Sequence, residues 1–111
     1  MSKEVANTIL QQLGGRRLIA MTGAKDFITH NDQCGGLSFR IPQMTGIKVN
    51  YVKVILNGMD LYDVEFGRIR GNNYKVLSSF TDIYAEDLIE LVEKETGLFL
   101  QHWRKKWKNI G

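Results

Sequence analysis

The chain has one cysteine and one proline in 111 residues, and no apolar run longer than the four residues Leu18 to Met21. Each shortage excludes something. A lone Cys34 forbids an internal disulfide and fits a reducing compartment, so the expected setting is cytoplasmic. Four apolar residues fall far short of the about 20 that cross a bilayer, and the polar start Met1-Ser2-Lys3-Glu4 lacks the apolar stretch of a secretory signal. One proline against eleven glycines points to tight turns and not to a linker. There is no internal repeat and no low-complexity tract. The composition that remains, 43% hydrophobic and 24% charged, is that of an ordinary globular domain. A chain this long buries roughly two-thirds of its unfolded surface, enough for a core without staples.

The net charge of +3 is unevenly placed. Residues 102–108 (His-Trp-Arg-Lys-Lys-Trp-Lys) carry four of the fifteen Lys and Arg and no acid, so the rest of the chain stands at −1. We therefore divide the chain into one domain, residues 1–100, and a basic, tryptophan-containing C-terminal extension, residues 101–111.

Periodicity gives the elements. Val5, Ile9, Leu10 and Leu13 recur at helical spacing, so a helix is expected over Ser2–Leu13, capped by Ser2 and stopped by Gly14-Gly15. Arg16 to Thr22 reads as a short strand buried on both faces. Gly36 to Ile41 alternates, with Leu37, Phe39 and Ile41 on one side, and ends at Pro42. Val49–Leu56 and Leu61–Ile69 flank Asn57-Gly58, the usual signal for a two-residue hairpin turn. That turn would set Val54 against Leu61 and Val52 against Asp63, mixing core and solvent faces. A five-residue loop, Leu56–Asp60, pairs Val54 with Tyr62 and Val52 with Val64, and sets Lys53 opposite Asp63. A second turn at Arg70–Asn73 leads to a strand from Tyr74 to about Phe80, and Asp82–Thr96 reads as a helix closed by Gly97, with Leu98 as its capping contact. The order predicts an α+β fold: an antiparallel meander sheet of four to five strands, flanked by an N-terminal and a C-terminal helix packed on one face. Val52, Val54, Tyr62, Val64, Phe66, Leu88, Leu91 and Val92 are expected to share the core.

Chemistry is sparse. Thr22-Gly23-Ala24-Lys25 lacks the first glycine of a phosphate-binding loop, and Leu13-Gly14-Gly15 follows a helix instead of opening one. His30-x-Asp32-x-Cys34 offers three metal donors but no second Cys or His pair nearby. Cys34 has no visible base to activate it. Asp63 and Glu65 lie about 7 Å apart on one strand face, a spacing that solvated strand carboxylates also show. No catalytic residue, metal or cofactor is expected.

Two basic sets stand out. Arg40, Arg68, Arg70 and Lys75 fall at or near strand ends beside Tyr74 and Phe66, a mixture that can hold phosphates while a ring stacks on a base. Basic residues at sheet edges also suppress edge-to-edge association. In the tail, Trp103 and Trp107 are spaced i, i+4 among Arg104, Lys105, Lys106 and Lys108. That pattern suits an anionic membrane surface, a nucleic-acid backbone, or packing on the protein's own sheet.

The segments Leu13–Phe27 (Leu-Gly-Gly-Arg-Arg-Leu-Ile-Ala-Met-Thr-Gly-Ala-Lys-Asp-Phe), Gly36–Ile41, Asp63–Gly71, Ile83–Leu88 and Thr96–Phe99 occur here in one order. Together they resemble a widespread group of small hypothetical proteins encoded by bacteriophages and mobile elements, over roughly residues 10–100. The resemblance implies an intracellular accessory protein. It implies no activity, and the tail from Gln101 departs from the pattern. The expected function is a non-catalytic module binding nucleic acid through the strand-end residues. The alternative is a protein-interaction module that binds or inhibits a host factor.

Overall fold

The computed structural model describes residues 2–42 and 48–97. The Leu98 contact and the tail with Trp103, Arg104, Lys105, Lys106, Trp107 and Lys108 lie outside the described residues, as does the side chain of Ser2.

Helix α1 spans Ser2–Gln12. Ala6, Ile9 and the following Leu13 are buried at spacings of three and four, with Val5 and Leu10 packed beside them, so one stripe faces the core. Arg16–Thr22 is a helix, α2, and not the expected strand. Leu18 and Thr22, one turn apart, are buried, while Ile19 between them is 42% exposed; a strand buried on both faces would hide all three. The Thr22 hydroxyl donates to the Leu18 carbonyl at 2.5 Å, and Gly23 closes the helix with its N–H on the Ile19 carbonyl at 2.8 Å. A four-residue apolar run carries no periodicity of its own, which is why its length misled.

Five strands follow in sequence order as one antiparallel meander: β1 Lys25–His30, β2 Gly36–Arg40, β3 Tyr51–Leu56, β4 Tyr62–Arg70 and β5 Asn73–Ile83. Strand β1 has no counterpart in the sequence reading. It is an edge strand whose residues are mostly exposed, so it lacks the alternation of a half-buried strand. The β3–β4 loop has five residues, as expected, but spans Asn57–Leu61, so Val54 faces Val64, Val52 faces Phe66 and Lys53 faces Glu65. The shift of two residues keeps every side chain on its expected face. Asn57 sets it. Its Oδ1 accepts the backbone N–H groups of Met59 (2.9 Å) and Leu61 (3.2 Å), while its Nδ2 donates to Asp63 and Asp82, each at 2.9 Å. The turn dipeptide thus serves as a buried loop organiser. Gly71-Asn72 form the two-residue β4–β5 turn, and β5 runs on to Ile83. Helix α3 therefore begins only at Leu88, after a 3₁₀ turn at Ala85–Asp87, and ends at Thr96 with Gly97 as its left-handed cap.

Both terminal helices cover one face of the sheet. α1 lies against β1 and β2. Leu88 and Val92 of α3 join the same core as Val52, Val54, Tyr62, Val64 and Phe66. Ser78, opposite Phe66 in β5, donates its hydroxyl to Glu95 of α3 at 2.8 Å. Leu91 is a correction: it packs against the rim of the core and is only partly buried. Phe39 and Phe66 are fully buried, and each carries an edge or tilted ring partner, Phe27 at 5.5 Å and Phe80 at 6.1 Å. Burial of this kind contributes about 1.5–3 kcal/mol per large side chain. No described helix is long and apolar enough to cross a membrane.

Candidate functional site

The meander runs its strands alternately up and down, so residues distant in sequence collect at the two ends of the sheet. One end receives Lys25, Arg40, Lys48, Arg68, Arg70 and Lys75. The other receives Asp32, Asp60, Asp63 and Asp82. The basic end contains two like-charged cross-strand pairs, Lys25 opposite Arg40 and Arg68 opposite Lys75. Antiparallel sheets disfavour such pairs, because each cation raises the cost of its neighbour. Among the described residues none of these six forms an ion pair.

Arg68, Arg70, Tyr74 and Lys75, singled out from sequence, line a single hollow of about 390 Å³ with Lys48, Asn73 and Leu77. Asn50, buried nearby, fixes the backbone at this end. Its side chain imitates a strand residue, donating to the Ile69 carbonyl at 2.9 Å and accepting the Ile69 N–H at 2.7 Å. This pins the segment entering β3 against the end of β4, and the Arg68 guanidinium donates to the Lys48 carbonyl at 3.3 Å. Arg40 stands apart from the hollow, at the same sheet end, across from Tyr51 in β3.

Tyr74 is held on three sides. Its hydroxyl donates to a Glu65 carboxylate oxygen at 2.5 Å, its ring meets Tyr51 edge-on at 5.2 Å, and it lies over Gly67. A side chain at Gly67 would overlap the ring, so this glycine is what lets the ring lie against the sheet. Partial burial raises the Tyr74 phenol above its ordinary range, and the hydrogen bond to Glu65 and the charge of that carboxylate add to it. The phenol therefore stays a donor. The ring is still 44% exposed. Phe66, its expected companion, is fully buried and unavailable to a ligand.

Sequence reasoning missed Lys25, Lys48, Tyr51 and the supporting pair Glu65 and Gly67. Tyr51 reaches Tyr74 across β4, a contact that only the register of three strands defines. Lys25 was missed together with its strand.

The other chemical groups are occupied elsewhere. His30 Nε2 and the Ser38 hydroxyl lie 2.8 Å apart, yet Ser38 is wholly buried and offers no reachable nucleophile. Desolvation and the nearby Lys53 ammonium lower the His30 pKa, with Asp32 opposing. Asp32 pairs with Lys53 at 3.4 Å, and Cys34 is a free, exposed thiol. Burial alone would raise the Asp63 pKa. Hydrogen bonds from Asn57, the Asp82 backbone and Gln33 outweigh it and hold the carboxyl below its usual range. Among the described residues no three His, Cys, Asp or Glu side chains are arranged to hold a metal ion. Comparison with family models, with curated proteins and with solved structures found no match.

Proposed function

We propose that the protein is a non-catalytic nucleic-acid-binding module, acting through the basic end of its sheet. The observation that carries this reading is the hollow where Lys48, Arg68, Arg70 and Lys75 converge with no carboxylate partner among the described residues. Two cross-strand pairs of like charge at one sheet end cost stability in the free protein, and a bound phosphodiester backbone relieves that cost. The acidic residues at the opposite end orient the molecule, since a polyanion is repelled there and attracted here. The sequence of residues 102–108 adds four more cations to the chain. The resemblance to phage and mobile-element proteins supports an accessory role in replication, packaging or transfer of such an element.

The test is fluorescence anisotropy with labelled oligonucleotides over a range of salt. Binding should weaken steeply as salt rises, and replacing Arg68 and Arg70 by Ala should flatten the log–log slope by about one to two units. The double variant should keep its fold, because Arg70 is exposed and Arg68 only partly buried. Absence of salt-dependent binding at about 50 mM salt, where phosphate contacts are strong, would overturn the reading. It would favour a protein partner instead, for which the exposed Val76 and Leu77 of edge strand β5 offer an apolar surface.

A further inference from the structure

We infer that β5 is the docking edge for a second copy of this chain, the two β5 strands pairing antiparallel about a twofold axis near Ser78 and Ser79 so that both sheets become one. The inference goes beyond the nucleic-acid reading and does not depend on it. β5 is the last strand of the sheet, and among the described residues only β4 pairs with it. Its far edge therefore presents a row of N–H and C=O groups that a further strand satisfies. Natural sheets blunt such edges with short strands, charges or proline. The other edge, β1, follows this rule, with six residues that open on Lys25 and Asp26. β5 does not. It runs for eleven residues, and from Val76 to Thr81 (Val-Leu-Ser-Ser-Phe-Thr) it holds no charge, glycine or proline. Slips against β4, beside Val76 and before Ile83, bend the strand but leave that run uncharged. Such a run has the makeup of segments that add to sheet edges. Tyr74, Val76, Leu77 and the following Tyr84 are also large apolar side chains left open to water.

Charge chooses the occupant and its direction. Lys75 and Asp82 are both exposed and flank the uncharged run on either side. Lys75 lies as far before the axis as Asp82 lies after it, so antiparallel pairing brings each Lys75 beside the partner's Asp82. Parallel pairing would set like beside like. The same operation acts on the whole sheet. The end carrying Arg68, Arg70 and Lys75 comes to lie next to the partner's acidic end, the end of Asp60, Asp63 and Asp82. Arg68 and Lys75, a like-charged cross-strand pair within one copy, gain an acidic neighbour there. A twofold axis makes each attraction occur twice, which is how one surface becomes complementary to itself.

The experiment is sedimentation equilibrium of the intact chain from about 1 to about 100 μM, the range that modest interfaces span. The expected species has twice the 12.7 kDa mass of one chain. A water-soluble carbodiimide, which joins an ammonium to a carboxylate with no spacer, should link Lys75 to Asp82. Those two lie about 24 Å apart along one extended strand, so the link forms only between copies. Lys75→Glu should weaken the dimer about 10-fold or more, because it sets two acids side by side. The variant should stay folded by circular dichroism, since within one copy it turns the Arg68 pair into an attractive one. A monomer at every concentration would overturn the inference and leave the edge to another occupant, the chain's own residues 98–111 included. A dimer that lacks the Lys75–Asp82 link and is indifferent to Lys75→Glu would overturn it too, because such a dimer uses another surface. The mass and the link are read on the unaltered chain, so a variant that failed to fold would not blunt the test. No measurement here contains nucleic acid, so failure leaves the nucleic-acid reading standing.

Discussion

Gly36 and Gly67 make a matched pair of perturbations. Both lie within strands, both are buried, and neither has a positive φ, so alanine suits the backbone at each position. An added Cβ at either site comes within 2.5 Å of an oxygen: the Val54 backbone carbonyl for Gly36, the Tyr74 hydroxyl for Gly67. The consequences differ because of what can move. At Gly36 the obstacle is the neighbouring strand, with the Ile55 Cα also at 3.2 Å. Restoring ordinary contact requires β2 and β3 to part by about 0.9 Å. That displacement breaks the adjoining bonds from Leu56 N–H to the Gly35 carbonyl (2.8 Å) and from Cys34 N–H to the Leu56 carbonyl (3.1 Å). Two lost hydrogen bonds at about 1 kcal/mol each, plus overpacking of about 1–3 kcal/mol, exceed the gain of about 0.5–1 kcal/mol from replacing a strand glycine. The net cost is about 2–4 kcal/mol. At Gly67 the obstacle is the far end of one side chain, which can swing into water. The losses are an exposed hydrogen bond and an edge-on ring contact, about 1–2 kcal/mol together, and the same glycine gain offsets half. Gly67→Ala should therefore cost about 1 kcal/mol or less. Urea unfolding and thermal melting measure both, with Gly36→Ala melting about 10 °C lower or more and Gly67→Ala shifted by a few degrees. Ultraviolet titration of the phenols gives a second readout: the Tyr74 phenol, raised in the intact protein by burial and by Glu65, should ionise at lower pH in Gly67→Ala. Equal destabilisation by the two substitutions would refute the argument that a displaced side-chain end gives way more cheaply than a paired strand.

The core and the pH response give further checks. Leu88→Ala, at a fully buried site, should cost about 2–5 kcal/mol in urea unfolding, whereas Leu91→Ala, at the rim, should cost about 1 kcal/mol; equal costs would reject the placement of α3. The folded His30 has a lowered pKa, so the unfolded chain binds the extra proton and stability is lost as pH falls below the unfolded value of 6.5 toward the lower folded one. Replacing His30 by Asn should remove that component of the melting-temperature loss between about pH 7 and pH 5. An identical pH profile in the two proteins would contradict the desolvation of His30 beside Ser38 and Lys53.

What the sequence determined by itself was whatever repeats over a few residues. The stripe of Ile9, Leu13, Leu88 and Val92, the alternation of Val52, Val54, Val64 and Phe66, and the glycine stops follow from local periodicity, and with them the α+β meander and the face that each helix covers. Side-chain spacing along one element needs no partner to be defined, so these features were legible. The tertiary structure decided the rest. Arg16–Thr22 is a helix that buries Leu18 and Thr22 and leaves Ile19 exposed, a fact about neighbours and not about the run itself. The β3–β4 register slid by two residues because Asn57 hydrogen-bonds to Asp63 and to Asp82, the latter lying 25 residues away in β5. The candidate site divides in the same way. Arg68, Arg70, Tyr74 and Lys75 could be read as a group because one turn joins them, and Arg40 because it ends a visible strand. Lys48, Tyr51, Glu65 and Gly67 could not, because their relation to Tyr74 exists only through pairings across β3, β4 and β5. Alternating strands bring the ends of five segments together, and a register that no local pattern encodes chooses which residues meet there.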